Sequence, residues 1–482
     1  LTGIMDKFFD GRLTPFLETN RGCPFTCSFC HTGNNYYNKI NMFSAERINK
    51  EIEYIGSRCS KLGITNLHIA DTNYGMYPRD REITERLLES HIKYNWPLSV
   101  MATTGKNNKK RVIDITQIMG NMFSVNMSVQ SMDKDVLKNI NRSNIKLESY
   151  IDVTKHLNSV GRTTKGELII PLPGESKQSF VKGLQELINT GVARITIYTL
   201  MMLYGTEFKD PEFRKKFGYK TKYRIVPLNY GLYEGTKVLD YEEVAIETKD
   251  ISFDDYLELR GLALMVEVWL NGRPFEELFI YAESLGINKT QILMRILEEI
   301  DSAPEEIKKI HEDFIEETRN ELWDSEDELV KYYNIDSNYK KLAGGEVGGN
   351  LIYKYKMKFL VHTYKTLLKH LEKVIKDLVI EVTPSKRITN EQEIDNLSRF
   401  CFCKMYGFFS SNNNNQSITQ EFDYDVINWT HHPGEALADF KSNQTIRIEF
   451  QYTDTQRMIF DDLLIRYGSD CNAFSKIATR MG

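Results

Sequence analysis

"ETNRGCPFTCSFCHTG", residues 18–33, places Cys23, Cys27 and Cys30 within eight positions at the spacing C-x3-C-x2-C. The chain has only seven cysteines in 482 residues, so three in one short stretch need a chemical reason. Structural zinc takes four tetrahedral ligands, commonly as two separated pairs, and no second pair follows here. His31 adjoins Cys30 directly, where holding one ion with both side chains is geometrically awkward. Three thiols in a packed core fit worse, because Gly22, Pro24, Thr26, Ser28 and Gly33 describe a loop. Such a loop can wrap an iron-sulfur cubane so that three thiolates reach three corners. The fourth iron is then open to a small molecule.

Outward from this loop, short apolar runs alternate with amphipathic stretches. The pattern predicts strands at 14–19, 66–71, 98–103, 123–129, 166–171 and 194–200. Helices are predicted near 44–62, 80–94, 109–120, 146–160 and 176–190, the first with Ser44 at its N-cap. Alternating strands and helices imply an α/β fold with a parallel sheet and right-handed crossovers, either an incomplete barrel or a doubly wound sheet. The cysteine loop follows the first strand and so lies at the C-terminal edge of the sheet, where such folds place their sites.

The other features set bounds. A hydrophobic fraction of 41% is ordinary for a soluble protein, and no apolar run approaches the roughly 18 residues of a membrane span. Sixty-two basic and 67 acidic residues, a formal charge of -5, exert no general pull toward nucleic acid. The remaining Cys59, Cys401, Cys403 and Cys471 are scattered, and an odd total argues against a disulfide framework, so a reducing, cytoplasmic setting is expected.

With Phe29 before its last Cys and strand-helix units behind it, the C-x3-C-x2-C loop resembles that of the radical S-adenosylmethionine (radical SAM) superfamily. That resemblance implies an incomplete (β/α)6 TIM-like barrel and a [4Fe-4S] cluster held by Cys23, Cys27 and Cys30. The open iron would chelate the amino and carboxylate groups of S-adenosylmethionine (SAM), whose reductive cleavage gives a 5'-deoxyadenosyl radical. The stretches "LTGIMDKFFDGRLTPFLETNRGCPF" and "ADTNYGMYPRD" further resemble the group that carries an N-terminal cobalamin-binding domain, absent from this chain.

The same resemblance implies cofactor contacts from Phe29, Asp71, Asn73, Ser128, Gln130 and Glu167. For Asp71 the alternatives are the SAM amino group or a buried helix N-cap. Ser128 and Gln130 alternate with apolar neighbours, which would turn both toward the barrel mouth. Glu167 in an apolar strand needs a polar ligand or a basic partner. Tyr198, Met201 and Tyr204 read as core packing before ligand lining. Cys401 and Cys403 would point to opposite faces if extended, and His431 and His432 precede a Pro in an expected solvated turn. The tract 410–417 reads as a polar loop, "GGEVGGN" (344–350) as an interhelical loop, and "DTQRMIFDDLLIRYG" as a final helix.

The expected organisation is a linker (1–13) from a missing domain, a radical SAM partial barrel (14–207) and a strand-rich connector (208–252). A mainly α-helical region (253–382) and a C-terminal α+β segment (383–482) complete it. The expected function is reductive SAM cleavage, for cobalamin-dependent C-methylation of a small molecule. The alternatives are radical rearrangement, dehydrogenation or epimerisation without methyl transfer, and a non-catalytic iron-sulfur or zinc module. The partners expected are a small-molecule substrate and an electron donor such as flavodoxin or ferredoxin, with no nucleic acid.

Overall fold

A computed structural model describes residues 2–11, 13–105, 109–126, 128–144, 147–159, 164–382, 391–405, 417–432, 434–451 and 453. The expected final helix, Cys471 and nearly all of the tract 410–417 lie outside the described residues. The chain divides into two compact units, 1–220 with 244–252, and 221–243 with 253–482.

The first unit is built on a six-stranded sheet. Its strands are β1 (Phe16–Leu17), β2 (Asn66–Tyr74), β3 (Ser99–Thr104), β4 (Phe123–Asn126), β5 (Thr164–Ile170) and β6 (Arg194–Thr199). They lie side by side in chain order, all parallel, with Phe16 opposite His68, His68 opposite Met101, and Glu167 opposite Thr196. This order lacks the reversal that defines a doubly wound sheet.

Helices α1 (Ala45–Leu62), α2 (Arg79–Tyr94), α3 (Lys109–Met119), α4 (Lys134–Asn139), α5 (Leu147–Ser159) and α6 (Lys177–Asn189) lie between the strands. Ser44 caps α1 by accepting from the Arg47 amide at 3.2 Å, and Ser176 caps α6 with a reciprocal bond to Ser179. Ile48 and Ile52 of α1, Leu87 of α2 and Ile115 of α3 pack on Leu67, Ile69, Val100 and Ala102. Full burial of each such side chain stabilises the fold by roughly 1.5–3 kcal/mol.

The intervening strand positions behave differently. Met101 is 52% and Tyr198 49% exposed, on the face that the helices leave uncovered. Right-handed crossovers in sequential order put the helices on one side, which leaves the other side of the sheet accessible. Tyr198, Met201 and Tyr204 are thus exposed, contrary to the expected core packing.

Beyond the sheet come α7 (Pro211–Phe217) and a long hairpin of β7 (Lys220–Tyr233) and β8 (Thr236–Glu247), so the stretch 208–252 holds a helix as well as strands. The second unit is mainly helical, from α8 (Phe253–Met265) onward, with an antiparallel pair Ile418–Tyr424 and Lys441–Phe450. Residues 344–350 join two helices as expected. Cys401 and Cys403 correct their extended reading. They lie buried on the helix Glu391–Met405, where a two-residue step turns roughly 200° and again separates their side chains. His431 and His432 are exposed just past a short helix, Val426–Thr430.

One buried group in this unit has a measurable consequence. His311, on the helix Glu305–Asn320, rests against Gly261 of α8, where a Cβ would meet its Nε2 at 2.9 Å. Burial lowers its pKa from the usual 6.5 to about 4. Because the folded value lies below the unfolded one, its stabilising contribution is complete above pH 6.5 and is lost as pH falls toward 4. We expect His311→Leu to remove about 2 kcal/mol of this acid sensitivity, read as the difference from wild type in urea unfolding at pH 7 and pH 4.5.

Candidate metal and cofactor site

The cysteine loop is braced at both ends. The Cys23 amide donates to the Tyr37 carbonyl at 2.8 Å, and the Gly33 amide donates to the Cys30 carbonyl at 2.9 Å. The small strands Asn20–Arg21 and Asn41–Met42 pair antiparallel around the loop. Gly22, at φ +109°, lets the backbone of Tyr37 and Lys39 pass where a Cβ would meet carbonyl oxygens at 2.5–2.7 Å. At Gly33 a Cβ would lie 2.2 Å from the Cys27 carbonyl oxygen. Phe29 is half-buried and packs on the core that includes Val136, Ile140 and Leu172, which anchors the loop from beneath.

Cys23 and Cys27 are buried, at 6% and 4% exposure, whereas Cys30 is half-buried. None of the three is in a disulfide. Among the described residues no three His, Cys, Asp or Glu side chains converge as ligands of a single ion. His31 is occupied elsewhere, with Nδ1 3.3 Å from the Tyr204 carbonyl and Nε2 3.1 Å from the Tyr37 hydroxyl.

Two polar groups address the buried sulfurs. The Asn73 amide, at the end of β2, donates to Cys23 Sγ at 3.3 Å. Arg142, buried at 7% exposure in the turn after α4, directs Nη1 to Cys27 Sγ at 3.9 Å and donates Nη2 to the Ser128 carbonyl. Its Nε donates to Asn144 at 3.0 Å. Burial pulls its pKa below the ordinary value, against the opposing negative charge of Cys27, Glu167 and Cys30. Sequence reasoning missed Arg142, because "NINRSN" has no spacing that distinguishes it from a surface turn.

The other candidates divide. Glu167 on β5 accepts from the Ser128 hydroxyl and lies within the field of Arg142, so these three side by side form a polar group beside the loop. Gln130 stands apart from the alternation expected of it: β4 ends at Asn126, and Gln130 has φ +68°. Its amide donates to the Glu167 carbonyl at 2.8 Å, while its side-chain Oε1 is buried without a partner. The Asp71 carboxylate accepts from the Thr19 amide at 2.7 Å, from the Thr19 hydroxyl and from the Asn20 side chain at 2.5 Å. It clasps the end of β1 and does not cap α2. Asp80 makes the turn into that helix, accepting from the Gly75 and Tyr77 amides at 2.8 and 2.9 Å.

Four polar atoms near the loop and along this sheet edge, Ser28 Oγ, Asn73 Oδ1, Tyr77 OH and Gln130 Oε1, are buried with no hydrogen-bond partner. Each such atom costs about 1–3 kcal/mol when left unsatisfied, so their concentration beside three thiols marks a place built for a polar group. Thiols on one loop, an amide donor and a guanidinium directed at sulfur are the donor chemistry that suits an anionic iron-sulfur centre.

The comparisons agree with this chemistry. Residues 17–187 match the Radical SAM superfamily. The 2-(S-pantetheinyl)-carbapenam-3-carboxylate methyltransferase of Streptantibioticus cattleyicolor is 29% identical over 338 residues, covering 66% of this chain and 48% of that protein. The cobalamin-dependent radical SAM methyltransferase TokK of Streptomyces tokunonensis is 30% identical over 297 residues, covering 60% and 43%. The chain thus spans about half the length of the curated relatives it matches. Among solved structures, the cobalamin-dependent S-adenosylmethionine radical enzyme OxsB aligns with a TM-score of 0.38 at 12% identity, over 84% of this chain and 59% of that one. The cysteine loop and the strands β2 to β5 thus lie within the stretch that matches the Radical SAM superfamily, and the proteins this chain is similar to include a cobalamin-dependent radical SAM methyltransferase.

Proposed function

We propose that this chain is the radical-generating part of a cobalamin-dependent C-methyltransferase acting on a small molecule. Cys23, Cys27 and Cys30 would hold a [4Fe-4S] cluster by three corners, and the fourth would take SAM. When bound, the cluster supplies the electron that cleaves SAM to methionine and a 5'-deoxyadenosyl radical. The observation that carries this reading is the pair of polar groups, Asn73 and Arg142, directed at the buried sulfurs of Cys23 and Cys27.

The chain's own residues bind, orient and exclude water. Asn73 and Arg142 offset the negative charge that three thiolates bring to a poorly solvated loop. Arg142 also presents a fixed cation where a ligand carboxylate needs one, and Glu167 with Ser128 offers acceptors for a hydroxyl or ammonium group. The helix-free face of the sheet would be the lumen of an incomplete (β/α)6 barrel, its rim formed by the ends of β2, β4 and β5. A small molecule lying in that lumen meets the radical away from bulk water. The reading includes a cytoplasmic, reducing setting and an electron-donor protein. The methyl-transfer assignment rests on the names of the relatives.

Product analysis tests this. The full natural protein, reconstituted anaerobically with iron and sulfide and reduced chemically, is expected to release 5'-deoxyadenosine from SAM. S-adenosylhomocysteine is expected only when cobalamin is added. Deoxyadenosine without cobalamin-dependent S-adenosylhomocysteine would point to a radical reaction that moves no methyl group. Neither product would leave an iron-sulfur module without this chemistry.

A further inference from the structure

We propose that the small molecule this chain acts on has an oxyanion, a carboxylate or a phosphate, held by Lys165 and Arg194 on the helix-free face of β5 and β6. Its apolar body would rest on Phe16, His68 and Met101 across β1, β2 and β3. This rests on the lumen reading above and deepens it by naming the substrate class.

The strand register builds the charged half. Along β5 every second residue is buried, and Lys165, Glu167 and Ile169 are the half-buried ones between them, on the face turned from the helices. β6 alternates in the same way, with Arg194, Thr196 and exposed Tyr198 on that face. Lys165 lies opposite Arg194 and Glu167 opposite Thr196, so the two cations stand on neighbouring strands at one level, their backbones about 4.8 Å apart. Among the described residues of β5 and β6 this face carries two cations and one acid. Like charges so placed repel, and an anion between them turns that repulsion into two attractions. A planar guanidinium beside a point-like ammonium is a pair suited to a carboxylate or phosphate.

This pair is distinct from the polar group beside the cysteine loop. Glu167 is the member of β5 that meets Ser128 and the field of Arg142. Lys165 comes two residues earlier on the same face, roughly 7 Å farther from the loop.

The other half of the face is apolar. Phe16 lies opposite His68, and His68 opposite Met101, in one row across three strands. The Phe16 and His68 rings stack with centroids 4.6 Å apart and planes at 29°. Burial lowers the pKa of His68 from its usual value, so its ring is neutral at pH 7 and adds no charge to the row. Phe16 is 65% exposed and Met101 is about half exposed, large apolar side chains that the helices do not cover. One strand, β4, separates this shelf from the cations, which puts the backbones of Met101 and Lys165 roughly 10–12 Å apart. An apolar wall with a few charged groups at one end is the usual make-up of a small-molecule site, and here it fits an amphipathic acid.

The test titrates octanoate, octyl phosphate, octanol and octylamine by calorimetry into the full natural protein, reconstituted anaerobically and saturated with SAM. At least one of the two acids is expected to bind tenfold or more tightly than octanol and octylamine, and the tighter acid distinguishes carboxylate from phosphate. The double variant Lys165→Met, Arg194→Met is expected to lower acid affinity at least tenfold and to leave octanol within twofold. Met101→Asn is expected to weaken acid and alcohol alike. Should the double variant not fold, Lys165→Gln and Arg194→Gln decide, each with an expected loss of at least threefold for the acids alone. Acids that bind no more tightly than octylamine, or that keep their affinity without the two cations, overturn the proposal. So does an acid that binds only when SAM is left out, which would give both cations to the SAM carboxylate. If the wild type releases no deoxyadenosine from SAM, the catalytic reading fails, and the titrations still decide whether this face takes an amphipathic acid.

Discussion

Gly33→Ala is expected to leave the cysteine loop with less than a tenth of the wild-type iron after reconstitution. The added methyl would lie 2.2 Å from the Cys27 carbonyl oxygen and 3.0 Å from the Cys27 amide nitrogen. Both obstacles are backbone, so no side-chain rotation relieves the clash. The Gly33 amide also donates to the Cys30 carbonyl at 2.9 Å, and any retreat of Gly33 breaks that turn. Overpacking of this kind costs about 1–3 kcal/mol where a core can shift. Here the strain falls on a short loop held by a few hydrogen bonds, which moves before the sheet does and carries Cys27 and Cys30 apart. Iron content and the visible absorption of the reconstituted protein read the result. Gly349→Ala, where nothing lies within 4 Å of the new atom, is the matched control and is expected to be silent. Full iron in Gly33→Ala would show that the three thiols need no such tight turn.

The second large effect belongs to Arg142. Arg142→Met is expected to weaken SAM binding at least a hundredfold, about 2.7 kcal/mol, in protein that has retained its iron. Its guanidinium serves Cys27 Sγ, the Ser128 carbonyl and Asn144 at once, and it lies within the field of Glu167. Methionine fills much of the volume and takes away the charge. Removing one member of a buried charge pair typically costs about 3–5 kcal/mol of stability, so circular dichroism and iron content must accompany the binding assay. Arg142→Lys separates the contributions: it keeps the charge and loses the planar fork, and an intermediate affinity is expected. SAM affinity within threefold of wild type in an iron-loaded Arg142→Met protein would reduce Arg142 to a structural role.

Much of the first unit was legible from local patterns. The helices predicted near 44–62 and 176–190 are found at Ala45–Leu62 and Lys177–Asn189, because apolar spacing and serine caps act within a few residues of one another. The strand predicted at 14–19 shrank to Phe16–Leu17, since Asp71 draws Thr19 and Asn20 away from the ladder and onto its own carboxylate. The strand predicted at 123–129 stops at Asn126 for a related reason. Gln130 turns to φ +68° to pair with the backbone of β5, a contact with residues 37 positions later. Tyr198 and Tyr204 show the same limit. Apolar character near a strand predicted burial, and only the one-sided placement of the helices left them exposed.

By itself the sequence determined the chemistry of the thiols and the alternation of strand and helix, because both are carried by residues close together along the chain. Tertiary structure decided which polar groups meet those thiols. Asn73 lies 50 positions from Cys23 and Arg142 lies 115 from Cys27, so no local pattern could report either contact. The order of strands in the sheet brings them together, and burial then makes a lone amide and a lone guanidinium matter.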